Sequence, residues 1–224
     1  MTFSLVGRCP RTGQFGMAIA SSSPAVAARC LHLRPGVGAA ASQNVTDPAL
    51  GPLILEAMAG GADAAQALAA VAVGRAHIGY RQLMAIGAVG PGAIRSGEGM
   101  LGVWSEALGE DCAAAGNLLA GEGVPAAMVA AFAAAPQEAL GERLMAALEA
   151  GLAGGGEAGP VRSAGLGVVG DLSWRIVDLR IDWAEAPVAM LRAAWDVYRP
   201  QIDDYIRRAR DPSGAPSYGV PGDE

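Results

Sequence analysis

TFSLVGRCPRTGQFGMAIASS, residues 2–22, contains two runs of alternating large and small side chains on either side of a Pro-Arg-Thr-Gly turn. Alternation of this kind is typical of β-strands, and the turn between the runs predicts a β-hairpin. One face of the hairpin carries small side chains, so another layer can pack closely against it. We therefore expect a buried hairpin at the centre of the fold, with Thr2 at the head of its first strand.

The rest of the chain predicts helices and strands in blocks. Helices are expected at about 50–60, 63–73, 125–136, 140–152 and after 187, with a kink at Pro200; strands are expected at about 78–89, 93–96, 101–107, 111–119, 163–169 and 174–181. Runs of strands separated by helix pairs indicate an α+β domain with antiparallel sheets. We expect one domain over residues 1–210, with residues 211–224 as a loosely held tail.

A polar triplet follows the third predicted strand. Residues 36–41, with the sequence GVGAAA, run directly into Ser42, Gln43 and Asn44. A strand that becomes polar so abruptly is typical of one that ends at a cleft, where connecting segments carry functional side chains. The triplet is therefore a candidate for substrate binding.

The composition excludes several classes of protein. A net charge of −6 supplies no basic field for nucleic acid, and no apolar run approaches the ~20 residues of a membrane-spanning helix. All 16 cationic residues are arginine, which excludes Schiff-base chemistry, pyridoxal phosphate and Walker-type P-loops, because each needs a lysine amine. The two histidines lack partners at metal-ligand spacing. We expect a small-molecule substrate and neither a metal nor a cofactor.

Cysteine usage and hydrophobicity bear on location and assembly. The three cysteines show no CxxC spacing, as expected for reduced thiols in a cytoplasmic protein, and the first residues lack the features of a secretory signal. Apolar residues make up 52% of the chain and charged residues only 17%. Such a surplus favours a subunit interface, so we expect a homo-oligomer.

Thr2 is the candidate nucleophile. Removal of Met1 would make Thr2 the amino-terminal residue and would place a hydroxyl and a free α-amine on one residue. The amine can accept the hydroxyl proton while the oxygen attacks a carbonyl carbon, so nucleophile and base arrive together. The alternative is that Thr2 is simply a polar residue that begins a strand.

Other polar side chains are candidates for binding substrate or stabilising an oxyanion. Serine hydroxyls at the end of the second strand could contact the Thr2 amine or could satisfy a turn. Side-chain amides could donate to an oxyanion or could bind loop backbone, and arginines could hold a carboxylate or remain solvated. These candidates are Ser21, Ser22, Ser42, Gln43, Asn44, Arg81, Gln82, Asn117, Arg162 and Ser163.

Five segments resemble, in order and spacing, the bacterial family called domain of unknown function 1028. They are residues 2–22, PGVGAAASQNVTDPALGP at 35–52, AGNLLAG at 115–121, ALEAGLAGGGEAGPVRSAGLGVV at 147–169 and VDLRID at 177–182. The resemblance extends to about Tyr198. It implies a four-layer αββα sandwich of the N-terminal-nucleophile (Ntn) hydrolase kind, in which two mainly antiparallel sheets are flanked by helices, distantly like proteasome β-subunits. In that superfamily a Thr, Ser or Cys at the head of the first strand is both nucleophile and base, and Thr2 occupies that position.

The chain also differs from the family pattern. Ser22 stands where a basic residue is frequent, and Ala115 and Arg162 stand where glutamines are frequent. Two hypotheses follow. The first is an Ntn amidohydrolase that cleaves a small amide, ureido or imide C–N bond with Thr2. The second, which these differences favour, is a non-catalytic binding or scaffold protein that keeps the fold.

Overall fold

The predicted hairpin lies at the centre of the larger of two sheets. In the computed structural model, which describes residues 2–222, β1 spans Thr2–Cys9 and β2 spans Gln14–Ser21, paired antiparallel. The turn closes through a 2.9 Å hydrogen bond from the Gly13 N–H to the Cys9 carbonyl. Gly13 has φ +68°, a left-handed conformation that favours glycine. The residues between the two strands therefore form the predicted turn.

Four further strands complete the larger sheet. They are β7 (Ser105–Gly109), β8 (Cys112–Asn117), β9 (Ser163–Val169) and β10 (Arg175–Ile181). The order across the sheet is β10-β9-β2-β1-β8-β7, and every neighbouring pair is antiparallel. The strand β1 therefore lies between β2 and β8, so the ends of all three strands meet around Thr2.

The smaller sheet has four strands in sequence order. They are β3 (Leu31–Arg34), β4 (Gly38–Asn44), β5 (Arg81–Gly87) and β6 (Ala93–Ser96), all antiparallel. The short helix α1 (Val26–Cys30) leads into β3, and neither element was predicted. The polar triplet at 42–44 lies within β4, not beyond its end, because its residues pair with β5.

The other helices follow the predicted pattern with small shifts. They are α2 (Leu50–Ala59), α3 (Ala64–Ala72), α4 (Val124–Ala134), α5 (Leu140–Ala153), α6 (Pro187–Tyr198) and α7 (Ile202–Arg210). Asp63 begins α3 in a capping box with Gln66, which satisfies amide groups that a helix start leaves unpaired. A 3₁₀ turn at Arg199–Gln201 separates α6 from α7, and it contains Pro200, where the kink was predicted. Residues 2–222 contain no helix that is both long and apolar enough to cross a membrane.

The two sheets pack face to face, and helices cover their outer faces. Val6, Met17 and Ile19 of the larger sheet meet Met84 and Ile86 of the smaller sheet in one apolar core. Helices α4, α5 and α6 pack on the other side of the larger sheet, and α2 and α3 pack on the other side of the smaller sheet. Each sheet therefore carries buried apolar side chains on both faces, which agrees with central strands whose side chains alternate in size and not in polarity.

Close approach of α5 to the larger sheet depends on a glycine. A Cβ on Gly16 of β2 would lie 2.6 Å from a methyl carbon of Leu144 and 2.7 Å from the Gly167 carbonyl oxygen. Leucines at 140, 144, 148 and 152 recur at i, i+4 spacing, which predicts an apolar stripe on this helix. Leu140, Leu144 and Leu148 are buried, but Leu152 is 42% exposed. Leu152 lies in the last turn of the helix, which ends at Ala153.

Candidate functional site

The core between the sheets is apolar at one end and polar at the other. Side chains alternate along a strand, so Thr2 and Ser4 share the inner face of β1 with Val6. The same change occurs in the neighbouring strands of both sheets. We call these buried, inward-facing residues the polar layer: Thr2, Ser4, Ser21, Gln43, Gln82, Asn117 and Ser163. None of them is more than 4% exposed, so each polar atom needs a hydrogen-bond partner to offset its lost hydration.

A chain of hydrogen bonds crosses the polar layer from one sheet to the other. The Ser4 hydroxyl donates to Gln43 Oε1 at 2.6 Å, and Gln43 Nε2 donates to Gln82 Oε1 at 2.8 Å. Gln82 Nε2 in turn donates to the Ser96 hydroxyl at 3.0 Å. Gln43 Nε2 also lies 3.2 Å from the Ala115 carbonyl oxygen of the facing strand. These bonds fix both glutamine side chains and hold the sheets together.

Thr2 lies at the margin of this layer, where β1 begins. Its neighbour in β8 is Asn117, and its Oγ1 is 3.4 Å from the Ser21 hydroxyl oxygen of β2. A separation of 3.4 Å makes a weak hydrogen bond. Ser21 Oγ also lies 2.9 Å from Ser23 Oγ and accepts the Ser23 N–H at 3.1 Å. The three consecutive serines Ser21–Ser23, which we call the serine run, therefore supply a hydroxyl beside Thr2 and also bond to one another.

Asn117 combines a weakly held amide with an unsatisfied oxygen. Its Nδ2 donates to Gln82 Oε1 at 3.3 Å, which is a long hydrogen bond. Its Oδ1 is buried and has no hydrogen-bond partner within the part of the chain that the structure describes. Buried polar atoms without partners are rare in folded proteins and call for an explanation. Within residues 2–222, Asn117 therefore keeps an unused hydrogen-bond acceptor in the strand beside Thr2.

Glu157 belongs to this site although sequence reasoning missed it. The carboxylate is 5% exposed and accepts the Ser22 N–H at 3.0 Å on each of its oxygens. Burial raises the pKa of Glu157, and the hydrogen bonds from Ser22 offset only part of that effect. In the sequence Glu157 is distinguished only as the one ionisable residue between Glu149 and Arg162.

Two other candidates near the serine run have structural roles. The Ser163 hydroxyl donates to the Ser23 carbonyl at 2.6 Å and accepts the Val26 N–H at 3.2 Å, which ties β9 to the start of α1. The Arg162 backbone N–H donates to the Ser21 carbonyl, but its guanidinium pairs with Glu185, away from the polar layer. Neither side chain is directed at Thr2.

Three candidates from the smaller sheet do not join the polar layer. Asn44 Nδ2 donates to the Tyr80 carbonyl at 2.7 Å, and its Oδ1 accepts the Leu101 N–H at 3.2 Å. Arg81 donates to the Val45 carbonyl. Both therefore bind loop backbone. This was the alternative left open for Asn44, whereas Arg81 was expected either to hold a carboxylate or to remain solvated. Ser42 lies opposite Leu83 on the helix-covered face, and its buried hydroxyl lacks a partner among residues 2–222.

The remaining ligand-type residues form no metal site in the described chain. Residues 2–222 contain no group of three His, Cys, Asp or Glu side chains able to hold a metal ion. Cys9, Cys30 and Cys112 are free and buried. Burial lowers the pKa of His32 and so favours its neutral form. The chemistry available at the site is that of hydroxyl groups, amides and one carboxylate.

Comparison with known proteins places this chain in a family. The sequence model of DUF1028, a family of unknown function, matches residues 2–191. The crystal structure of a Silicibacter pomeroyi protein assigned to DUF1028 superposes with a TM-score of 0.82 at 27% sequence identity, over 92% of this chain and 94% of that chain. No curated protein matches the chain significantly. Because the match spans most of the sequence and the folds agree, the chain belongs to the DUF1028 family.

Proposed function

We propose that this protein is an N-terminal-nucleophile amidohydrolase with Thr2 as its nucleophile. The two helix-covered sheets are, on this proposal, the four-layer αββα sandwich of that superfamily. The substrate is a small molecule with an amide, ureido or imide C–N bond. Removal of Met1 would free the Thr2 α-amine to act as the base, so the reaction requires no metal or cofactor.

The observation that carries the proposal is the position of the Thr2 hydroxyl. It lies at the head of a buried central strand, 3.4 Å from the Ser21 hydroxyl and opposite Asn117 in the neighbouring strand. The oxygen of Thr2 would attack the carbonyl carbon while the α-amine takes its proton. The amine would then return that proton to the departing nitrogen, and water would hydrolyse the resulting ester.

Asn117 is the candidate for stabilising the negative charge that forms on the carbonyl oxygen. Its Nδ2 has only a long hydrogen bond to Gln82 to give up. Side-chain amides serve as oxyanion donors in hydrolases, where loss of one donor costs about 10²–10³-fold in kcat. The unpartnered Oδ1 of the same side chain could accept an N–H from the substrate.

One observation favours the competing function of a non-catalytic binding or scaffold protein. The polar layer is buried, and much of it satisfies its own hydrogen bonds through the series Ser4, Gln43, Gln82 and Ser96. A satisfied network of this kind can specify how two sheets pack without any chemistry. The two functions differ in whether the Thr2 hydroxyl is needed for turnover.

The deciding experiment compares Thr2→Ala with a matched control. Protein whose amino terminus is confirmed as Thr2 by intact mass is screened against small amides, cyclic imides and ureido acids. We expect Thr2→Ala to lower kcat by at least about 10²–10⁴-fold, Thr2→Ser to retain measurable turnover, and the exposed turn variant Thr12→Ala to match wild type. Wild-type turnover by Thr2→Ala would exclude the proposed mechanism.

A further inference from the structure

The carboxylate of Glu157 is placed across the start of β1. The strands β2 and β8 flank β1. Ser22 directly follows β2, and Leu119 lies two residues beyond the end of β8. Glu157 forms a backbone bridge with Leu119, and its carboxylate reaches the Ser22 N–H. Since adjacent strands lie about 4.8 Å apart, this one residue spans the width of β1 at the end where Thr2 begins.

The segment that holds Glu157 is built for this position. Gly155 and Gly156, immediately before it, have φ angles of +116° and +59°, which β-carbon-bearing residues rarely adopt. The Ala120 N–H donates to the Gly156 carbonyl at 3.1 Å, and the Ala158 N–H donates to the Leu118 carbonyl at 3.0 Å. Backbone bonds on both sides of Glu157 therefore fix it against the end of β8.

The charge of Glu157 lacks a cationic side chain to balance it. No arginine or histidine among residues 2–222 forms an ion pair with this carboxylate. The two arginines on the surrounding segments are engaged elsewhere, since Arg29 donates to the Ser23 hydroxyl and Arg162 pairs with Glu185. Burial raises the pKa of Glu157, because removal from water destabilises the ionised carboxylate. A buried carboxylate in such surroundings suits a cationic ligand.

We propose that Glu157 is the positioning residue for the α-amine of Thr2, which pairs with this carboxylate as an ammonium group once Thr2 is amino-terminal. The inference rests on the proposed function in requiring a free amine at Thr2. Ser21 and Ser22 connect the two groups along the chain, because Ser21 Oγ lies 3.4 Å from Thr2 Oγ1 and the next residue, Ser22, donates its N–H to the Glu157 carboxylate. The carboxylate holds the amine next to the hydroxyl whose proton it must accept.

This pairing has a consequence that a purely structural role would not produce. A nearby negative charge stabilises the protonated amine and raises its pKa, whereas a neutral amide does not. Glu157→Gln should therefore lower the pKa of the Thr2 amine. Because only the neutral amine is a base, the same substitution should move the rise of kcat/KM to lower pH.

The sequence allows the pKa of the α-amine to be measured directly. The 224-residue chain contains no lysine, so its α-amine is its only primary amine. Protein released with Thr2 first by cleavage of a ubiquitin-like leader is labelled with trace acetic anhydride between about pH 5 and 10, and labelling is quantified by mass spectrometry. The pH dependence of labelling reports the pKa of the amine without any substrate. The matched control is Glu110→Gln, which removes an exposed carboxylate in a turn.

We expect Glu157→Gln to increase the acidity constant of the amine about tenfold, Glu157→Asp to retain part of the effect and Glu110→Gln to leave it unchanged. Wild-type protein should also show a higher amine pKa when folded than when unfolded in urea, a comparison that needs no variant. Equal acidity constants in wild type and Glu157→Gln, or in folded and unfolded wild type, would overturn the inference. An inactive enzyme with the expected acidity change would refute the amidohydrolase and leave the inference standing.

Discussion

Replacing Gln43 by leucine tests whether the polar layer holds the two sheets together. Leucine has a similar size but no polar atoms, so the substitution removes three hydrogen bonds of Gln43. The Ser4 hydroxyl then loses the acceptor 2.6 Å away, in a position with no exposed surface. Gln82 Oε1 is affected less, because Asn117 still donates to it.

The size of the effect follows from the groups left without partners. Each buried polar group that loses its hydrogen bond costs about 1–3 kcal/mol. One group, Ser4, loses its partner fully, and Gln82 and the Ala115 carbonyl lose part of their bonding, so Gln43→Leu should lower the free energy of unfolding by about 2–4 kcal/mol. In Ser4→Ala/Gln43→Leu the orphaned hydroxyl is absent, and about 1 kcal/mol or more of that loss should be recovered.

Urea unfolding, followed by tryptophan fluorescence at fixed protein concentration, measures both values. Gln137→Leu is the matched control, since Gln137 is exposed, and it should change stability by less than about 0.5 kcal/mol. The reasoning would be refuted if Gln43→Leu cost as little as the control. It would also be refuted if the free energy lost in the double variant equalled the sum of the losses in Ser4→Ala alone and Gln43→Leu alone.

Three further predictions concern packing, thiol reactivity and acid stability. A Cβ on Gly141 would lie 2.4 Å from the buried Trp195 ring, so Gly141→Ala should cost about 1–3 kcal/mol in urea unfolding, whereas Gly121→Ala, which meets nothing within 4 Å, should cost little. Burial raises the pKa of the Cys112 thiol to about 11; iodoacetamide should therefore alkylate it at least about tenfold more slowly in folded than in unfolded protein, and equal rates would contradict this. Burial alone would raise the pKa of Glu142, but hydrogen bonds from Trp195 and paired arginines lower it. Because the pKa of Glu142 is lower in the folded state than its unfolded-state pKa of about 4.3, the ionised carboxylate stabilises the folded protein at pH values above about 4.3. This stabilisation is lost as the pH falls through the folded-state pKa. In Glu142→Gln the free energy of unfolding should therefore fall less steeply with decreasing pH than in wild type. Equal pH dependence in the two proteins would contradict this prediction.

Sequence reasoning predicted the longer elements well, because strand alternation, helical spacing and glycine or proline boundaries are local properties. The strand at 163–169 and the strand at 93–96 have the predicted bounds. The helix α1 and the strand β3 were missed because they have only five and four residues, too few to show a period, and no glycine or proline separates them, whereas glycines flank the equally short strand at 93–96. The strand predicted at 78–89 starts instead with a 3₁₀ turn, Ile78–Tyr80.

Candidate residues were found by type, but their grouping could not be predicted. Gln43 and Ser42 are adjacent in sequence, yet one joins the core between the sheets and the other faces the helices. Alternation shows that neighbours point in opposite directions, but not which face meets which layer. Glu157 was missed because its relation to Thr2 depends on the ends of β2 and β8 coming together in space.

The amino-acid sequence by itself determined most of the secondary structure, the absence of lysine chemistry and the presence of a hydroxyl at the head of the first strand, because these are properties of composition and local spacing. The tertiary structure alone decided which polar residues share one buried layer and which carboxylate spans the start of β1. Strand order in the larger sheet brings together residues that are more than a hundred positions apart, such as Ser22 and Glu157. No local pattern encodes such a contact, because it exists only after β2, β1 and β8 have paired.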